Sequence, residues 1–313
     1  MSTPPAGASK KRMFSRDDYL APLPIPTGRK PSDVLNIIWR KNDVFIDIGN
    51  YSIGSAVMTI WPLVIFFIVA AYGFRNLAPG LSQLALIAGV IITGIPTIFV
   101  IQGLFRKVPL PVRFNRQRRE VCVPMEHGDY WIVPWESVTA AATQHSSTSQ
   151  AGKNTMGLLI VGFENPDPLA KEGNKHFYFA FNCGGGTTAM ALWECMRSYM
   201  EVGPDAAPEA AALNSGGSWR YYIDYLNGRA NKYGWLITFL WDGLVGILVF
   251  NAPLATYLQR KKLYPPPQLS HPDIIEWSKP LPPEQWAKRS PELEQAIAKR
   301  EAELAALAVQ ETA

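Results

Sequence analysis

Two long stretches of this chain carry no charge at all. "SIGSAVMTIWPLVIFFIVAAYGF" runs from Ser52 to Phe74, and "LSQLALIAGVIITGIPTIFVIQGLF" from Leu81 to Phe105. Each is long enough for an α-helix to cross a bilayer core of ~30 Å. Only the short polar break "RNLAPG" separates them, so the expected unit over residues 51–107 is a two-helix transmembrane hairpin. Pro62 and Pro96 do not argue against it. Proline breaks a soluble helix, but within a membrane neighbouring groups can satisfy the backbone it frees.

Charge outside these runs orients the hairpin. The arm 1–50 is polar and basic, with Lys10, Lys11, Arg12, Arg16, Arg29, Lys30, Arg40 and Lys41. Arg106, Lys107, Arg113, Arg116, Arg118 and Arg119 follow the second run, whereas the connecting turn carries only Arg75. By the positive-inside rule both outer flanks are expected to face the cytoplasm. The arm has no short apolar core followed by a small-residue cleavage site, so it does not read as a cleaved signal peptide. A net charge of +4 is too modest for a dedicated nucleic-acid binder, and no nucleic-acid partner is expected. Cys122, Cys183 and Cys195 have no CxxC spacing, which suits a reducing compartment and neither a disulfide framework nor a zinc site. His127, His145, His176 and His271 stand far apart, and no metal or cofactor is expected.

From Val108 the period changes. "VRF", "EVCV", "DYWIVP", "SVTAAAT", "GLLIVGF" and "HFYFAFN" are short β-prone runs divided by turn residues, an antiparallel meander of six or seven strands. After "CGGG" the pattern turns helical over Thr187 to Gly203, with Met190, Trp193, Met196 and Met200 on one stripe and Thr187 or Thr188 available as a cap. Residues 108–203 therefore read as an α+β domain: an antiparallel barrel or sandwich closed by one helix, for which the pleckstrin-homology-like (PH-like) barrel is the best fit. Residues 204–218 have linker composition.

A third apolar block, Tyr233 to Leu258, lies inside a membrane-associated segment 219–262 and is interrupted by Asp242, Asn251 and Pro253. Basic residues flank it on both sides, so orientation is ambiguous. It either spans once, putting the tail outside the cytoplasm, or bends at Asp242–Gly243 or Asn251–Pro253 and returns. Residues 263–313 are a Pro-rich stretch followed by a charged, alanine-rich helix with too few leucines for a long coiled coil.

Few features suggest chemistry. Asp242 is the one carboxylate in an apolar block, and an intramembrane acid by default suggests a proton relay or ion path, or else a contact with a partner alongside Asn251. It has no evident cationic partner in the sequence. "CGGGTT" resembles an anion-holding glycine loop but lacks the P-loop lysine, and a tight strand-to-helix turn is the plainer reading. No nucleophile elbow or HExxH element occurs, so binding rather than catalysis is expected. The cluster Arg113, Arg116, Arg118 and Arg119 has three readings: a topology signal, contact with lipid headgroups worth ~1 kcal/mol per basic residue, or a specific anion or protein site.

The succession of a two-span hairpin, "VRFNRQRREV", "VPWESVTA" and a helix resembles a family of bacterial inner-membrane proteins encoded beside type VI secretion effectors. The matching residues are Phe114, Asn115, Arg116 and Arg119, then Pro134, Trp135 and Glu136, and the later "PPEQWAKRSPELEQAI". The resemblance implies an immunity or accessory role in interbacterial competition, with an effector toxin as protein partner and membrane lipids around the spans. It implies no catalytic residues. Two other readings stay open: a lipid- or ligand-sensing membrane module, and a small ion or solute transport subunit using Asp242. Oligomeric state is not legible.

Overall fold

The computed structural model describes residues 4–125, 128–149, 152–210 and 219–312. His127 and residues 211–218 of the expected linker lie outside these. The chain forms two compact units. One comprises Met1–Asn50, Leu110–Ala211 and Gln268–Ala313; the other comprises Tyr51–Pro109 and Ala212–Pro267.

The second unit holds the expected hairpin. α1 spans Ile53–Phe74 and α2 spans Pro79–Phe105, with Pro62 and Pro96 inside them. Small residues let the pair approach closely: a Cβ on Gly89 would sit 2.8 Å from Phe67 Cβ. Hydroxyls meet the local polar demand. Ser82 donates to the Ala71 carbonyl at 2.8 Å, and Thr93 to that of Gly89 at 2.7 Å. Only 17% and 6% of the two apolar windows are buried within the protein, so most of this greasy surface needs a cover that the chain does not supply. The chain thus has two helices long and apolar enough to span a membrane, as a membrane protein requires. The rest of the unit is helical too: α4 over Trp219–Tyr233; α5 over Trp235–Val249, which becomes π-helical from Phe239; and α6 over Ala252–Leu263.

The first unit is α+β. All six expected runs are strands: β5 (Val112–Asn115), β6 (Glu120–Pro124), β7 (Tyr130–Pro134), β8 (Thr139–Ser149), β9 (Gly152–Glu164) and β10 (His176–Asn182). They do not form a sheet by themselves. The N-terminal segment, expected to be a basic arm, supplies β1 (Ser9–Lys11), β2 (Ser15–Ala21), β3 (Ile38–Lys41) and β4 (Phe45–Ile48). Two antiparallel sheets result, ordered β1-β2-β8-β9-β10 and β3-β4-β5-β6-β7. Each N-terminal hairpin extends a sheet whose other strands come from beyond the membrane hairpin. β2 pairs with β8, and β4 with β5.

The two inner faces share one core, including Ile46, Phe114, Val121 and Val133 from one sheet and Ala142, Leu159, Val161 and Phe163 from the other. α3 (Gly186–Glu201) closes it with the expected stripe: Trp193, Met196 and Met200 are buried, and Met190 packs at the margin. α3 starts at Gly186 without a side-chain cap, so Thr187 and Thr188 sit inside the first turn and do not cap it. "CGGG" is a tight strand-to-helix turn: Gly184 takes φ +72°, and a Cβ on Gly157 of β9 would fall 2.2 Å from the Gly185 carbonyl carbon. The start of the expected linker is also part of this unit, because Lys41 donates to the carbonyls of Pro204 and Ala207 and pairs with Glu209 at 2.6 Å.

Because β4 and β2 complete the two sheets, the excised segment Leu110–Gly203 should lack a cooperative thermal transition and a near-ultraviolet circular dichroism signal. A cooperative melt of that fragment would contradict the assignment of residues 1–50 to the β unit.

Candidate functional site: the arginine turn and the C-terminal strap

The β5–β6 turn, Arg116 to Arg119, is set by its own residues. Asn115 Oδ1 accepts from the backbone N–H of Gln117 at 3.1 Å and of Arg118 at 3.2 Å, an Asx turn. Arg119 closes it at φ +53°. The turn is therefore set locally, and residues of the segment 268–312 bond to it.

The strap begins with α7 (Pro272–Trp277). Ile274, Trp277 and Leu269 form a small second core with Cys122 of β6, and Tyr130 and Ile132 of β7 pack against it. This is the outer face of the sheet. Asp47, Arg113, Cys122 and Ile132 are neighbours in register across β4, β5, β6 and β7. Past α7 the strap bonds to the turn itself. Asn115 Nδ2 and Arg118 Nε both donate to the Trp277 carbonyl at 3.0 Å. Leu281 N–H donates to Gln117 Oε1 at 2.7 Å, and Ala287 N–H to the Gln117 carbonyl at 2.8 Å. The Trp277 indole donates to Glu120 Oε2 at 2.7 Å. α8 (Pro291–Thr312) then packs through buried Leu293 and Ile297.

Glu201, the last residue of α3, is the centre of this junction. Its Oε1 accepts from Arg119 Nη2 at 2.8 Å and from the Trp135 indole at 2.7 Å, and its Oε2 from Arg289 Nε of the strap at 2.6 Å. Glu136 accepts from Arg119 Nη2 at 3.0 Å and from the Ser290 N–H at 3.1 Å. Burial pushes the Glu201 carboxyl up. The Arg119 guanidinium, the Trp135 indole and Arg289 outweigh it and hold the carboxyl below the ordinary value. Trp135 also stacks on Trp193 at 5.5 Å and meets the Phe114 ring edge-on at 5.8 Å, so the network sits against the core.

Two of the four arginines read as lipid or anion contacts have their charge paired inside the fold. Arg113 is buried, with Nε and Nη2 forming a fork on Asp47 at 2.6 and 2.8 Å, Nη1 donating to Ser278 at 2.8 Å, and its guanidinium 3.7 Å from the centre of the Phe45 ring. Arg119 is buried between Glu136 and Glu201. Neither can reach a headgroup. Arg116 and Arg118 are half-buried. Arg116 lies 5.4 Å from the Trp286 ring centre, and its Nε is buried without a hydrogen-bond partner among the described residues. The sequence shows the cations but hides their distant anions: Asp47 lies 66 positions from Arg113, and Glu201 lies 82 positions from Arg119.

Asp242 also has a partner. Arg229 Nε of α4 donates to its Oδ2 at 2.8 Å, and Tyr225 hydroxyl to its Oδ1 at 3.4 Å. The apparent lone acid is half of an ion pair. Asn251 does not join it. It takes the left-handed conformation, φ +48°, at the break between α5 and α6, with no side-chain capping bond. Among the described residues no group of three or more His, Cys, Asp or Glu is placed to hold a metal.

The chain thus combines two helices long and apolar enough to span a membrane with an α+β unit of two antiparallel sheets that includes its C-terminal strap. Comparison of the chain with family models, with curated proteins and with solved structures finds no match.

Replacing Glu201 by Gln leaves two guanidiniums facing a neutral amide, one of them buried. That should cost about 3–5 kcal/mol of stability in the β unit, read as a lowered melting temperature. Because the folded carboxyl titrates below its unfolded value, the Glu201 contribution is complete above the unfolded pKa. It is lost as pH falls through the lower folded one, so the wild type should lose stability there and Glu201→Gln should not follow. Burial raises the thiols of Cys122 and Cys195 to about 12 and raises that of Cys183. All three should resist maleimide at neutral pH and react once the unit unfolds.

Proposed function

We propose that the chain is an integral membrane protein that acts by binding, with its β unit on the cytoplasmic face of a bacterial inner membrane. The observation that carries a binding role is the fate of its most charged stretch: Arg113 and Arg119 are committed to closing the fold, not to a reacting centre. Two antiparallel sheets closed by α3 support a PH-like reading of the β unit, a frame suited to recognition. Basic residues on both outer flanks of the hairpin support the cytoplasmic placement, as do three buried free cysteines.

The resemblance of "FNRQRREV", "VPWES" and "PPEQWAKRSPELEQAI" to proteins encoded beside type VI effectors gives the partner class: a toxin neutralised at the membrane. Support for taking the three motifs together comes from their convergence, since Arg119, Trp135 and Arg289 all donate to Glu201 and Arg119 also donates to Glu136. Cells carrying the adjacent effector gene should lose viability beside toxin-producing siblings when this gene is deleted, and regain it on complementation. Full resistance of the deletion strain would end the immunity reading.

A second reading, lipid or anion sensing, is favoured by the unpartnered Nε of Arg116. Arg116→Glu with Arg118→Glu separates the two. Under the second reading the change should abolish binding to anionic liposomes; under the first, toxin protection should survive it.

A further inference from the structure

The third apolar block bends where the sequence allows it to. α5 and α6 meet at 71° across a break of a few residues, with Asn251 in the left-handed conformation at the corner. Neither limb is long enough to cross a bilayer, which takes about 20 residues. Trp235–Val249 is followed by a 12-residue α6 whose last turn is Arg260, Lys261 and Lys262.

Contacts to the hairpin fix how far the bend reaches. Gln259 of α6 accepts from the Gly54 N–H at 3.0 Å and donates to the Tyr51 carbonyl, so it sits at the start of α1. Lys262 donates to the carbonyls of Leu104 at 2.7 Å and Arg106 at 2.9 Å, at the end of α2. The basic end of α6 therefore lies level with the mouth of the hairpin. At the other end of the limb, the Trp61 indole donates to the Leu248 carbonyl at 3.1 Å, beside the break. Trp61 is eight residues beyond Ile53 (61 − 53), which places the corner about 12 Å down α1 at 1.5 Å per residue. That is less than half of a ~30 Å core.

The bend has its polar groups supplied as hydrocarbon demands. Trp61 takes up the Leu248 carbonyl where the helical ladder breaks. Asp242, in the descending limb, is neutralised by Arg229, and its carbonyl accepts from the Tyr222 hydroxyl at 3.2 Å. Around these, Trp235, Leu236, Phe239, Trp241 and Leu248 are more than half exposed.

We propose that Trp235–Leu263 is a re-entrant V that enters one leaflet of the membrane from the side of the β unit, turns at Phe250–Asn251 and leaves on the same side. Its occupant surface is the acyl region of that single leaflet. Connectivity agrees. The chain leaves the β unit before Ala212 and rejoins it at Gln268, so a single crossing in between would divide one compact unit across a bilayer. The Arg229–Asp242 pair is the clamp that lets a carboxylate sit in the descending limb.

Two measurements on the full chain test this. First, Asn76→Cys in the hairpin turn, Lys171→Cys in the β unit and Glu301→Cys in the strap are each exposed to a membrane-impermeant maleimide in intact cells. Lys171→Cys and Glu301→Cys should behave alike and opposite to Asn76→Cys. Labelling of Glu301→Cys together with Asn76→Cys would mean a full span and overturn the proposal. Second, nitroxides at Phe250→Cys and Tyr257→Cys are compared in nanodiscs by oxygen and nickel-chelate relaxation. The label at 250 should be the deeper and largely shielded from nickel. A water-exposed label at 250 would mean a surface-lying helix pair and overturn it equally.

Discussion

The ion pair between Arg119 and Glu201 joins parts of the chain that are otherwise unrelated. Arg119 closes the first hairpin after the membrane segment, Glu201 ends the helix that covers the core, and Arg289 arrives from the strap to share the same carboxylate. Such a buried network adds little net stability, because stripping water from three charged groups offsets most of their attraction. Its effect is on specificity. With Trp135 and Glu136 filling the remaining hydrogen bonds, a turn, a helix end and a strap have one satisfied arrangement, and removing Glu201 leaves the buried Arg119 with only the half-buried Glu136.

That closure constrains the membrane half. The β unit is assembled from three stretches of chain, and the two intervening stretches must each return to it. The hairpin can do so because each of its two helices is long and apolar enough to cross. The third block is too short in each limb to follow, and its corner is held beside Trp61, well short of the far end of α1. The Arg113–Asp47 fork makes a comparable link, since it ties the strand before the hairpin to the strand after it.

Hydropathy and period made much of this legible. Two uncharged runs gave the hairpin, six β-prone runs gave β5 to β10, and a three-and-four spacing gave the buried face of α3. The N-terminal strands were not legible because "SKK", "SRDDYLA", "IWRK" and "FIDI" are short and charged, and their sheet partners β8 and β5 come from far along the chain. The arginines read as topology marks for a related reason: a charge is visible in a sequence but its distant counter-ion is not. Asp242 was misread over a shorter distance. Arg229 lies 13 residues upstream, outside the apolar block that holds the acid.

The claim on which the account rests is that the strap is part of the β unit. Hydrogen–deuterium exchange of the full chain in nanodiscs measures it at two amides, Leu281 and Ala287, both of which donate to Gln117 in the arginine turn. The account predicts that they are protected to the same degree as the β5–β6 ladder and open together with it. Exchange of these two amides at loop rates, while β6 stays protected, would contradict it.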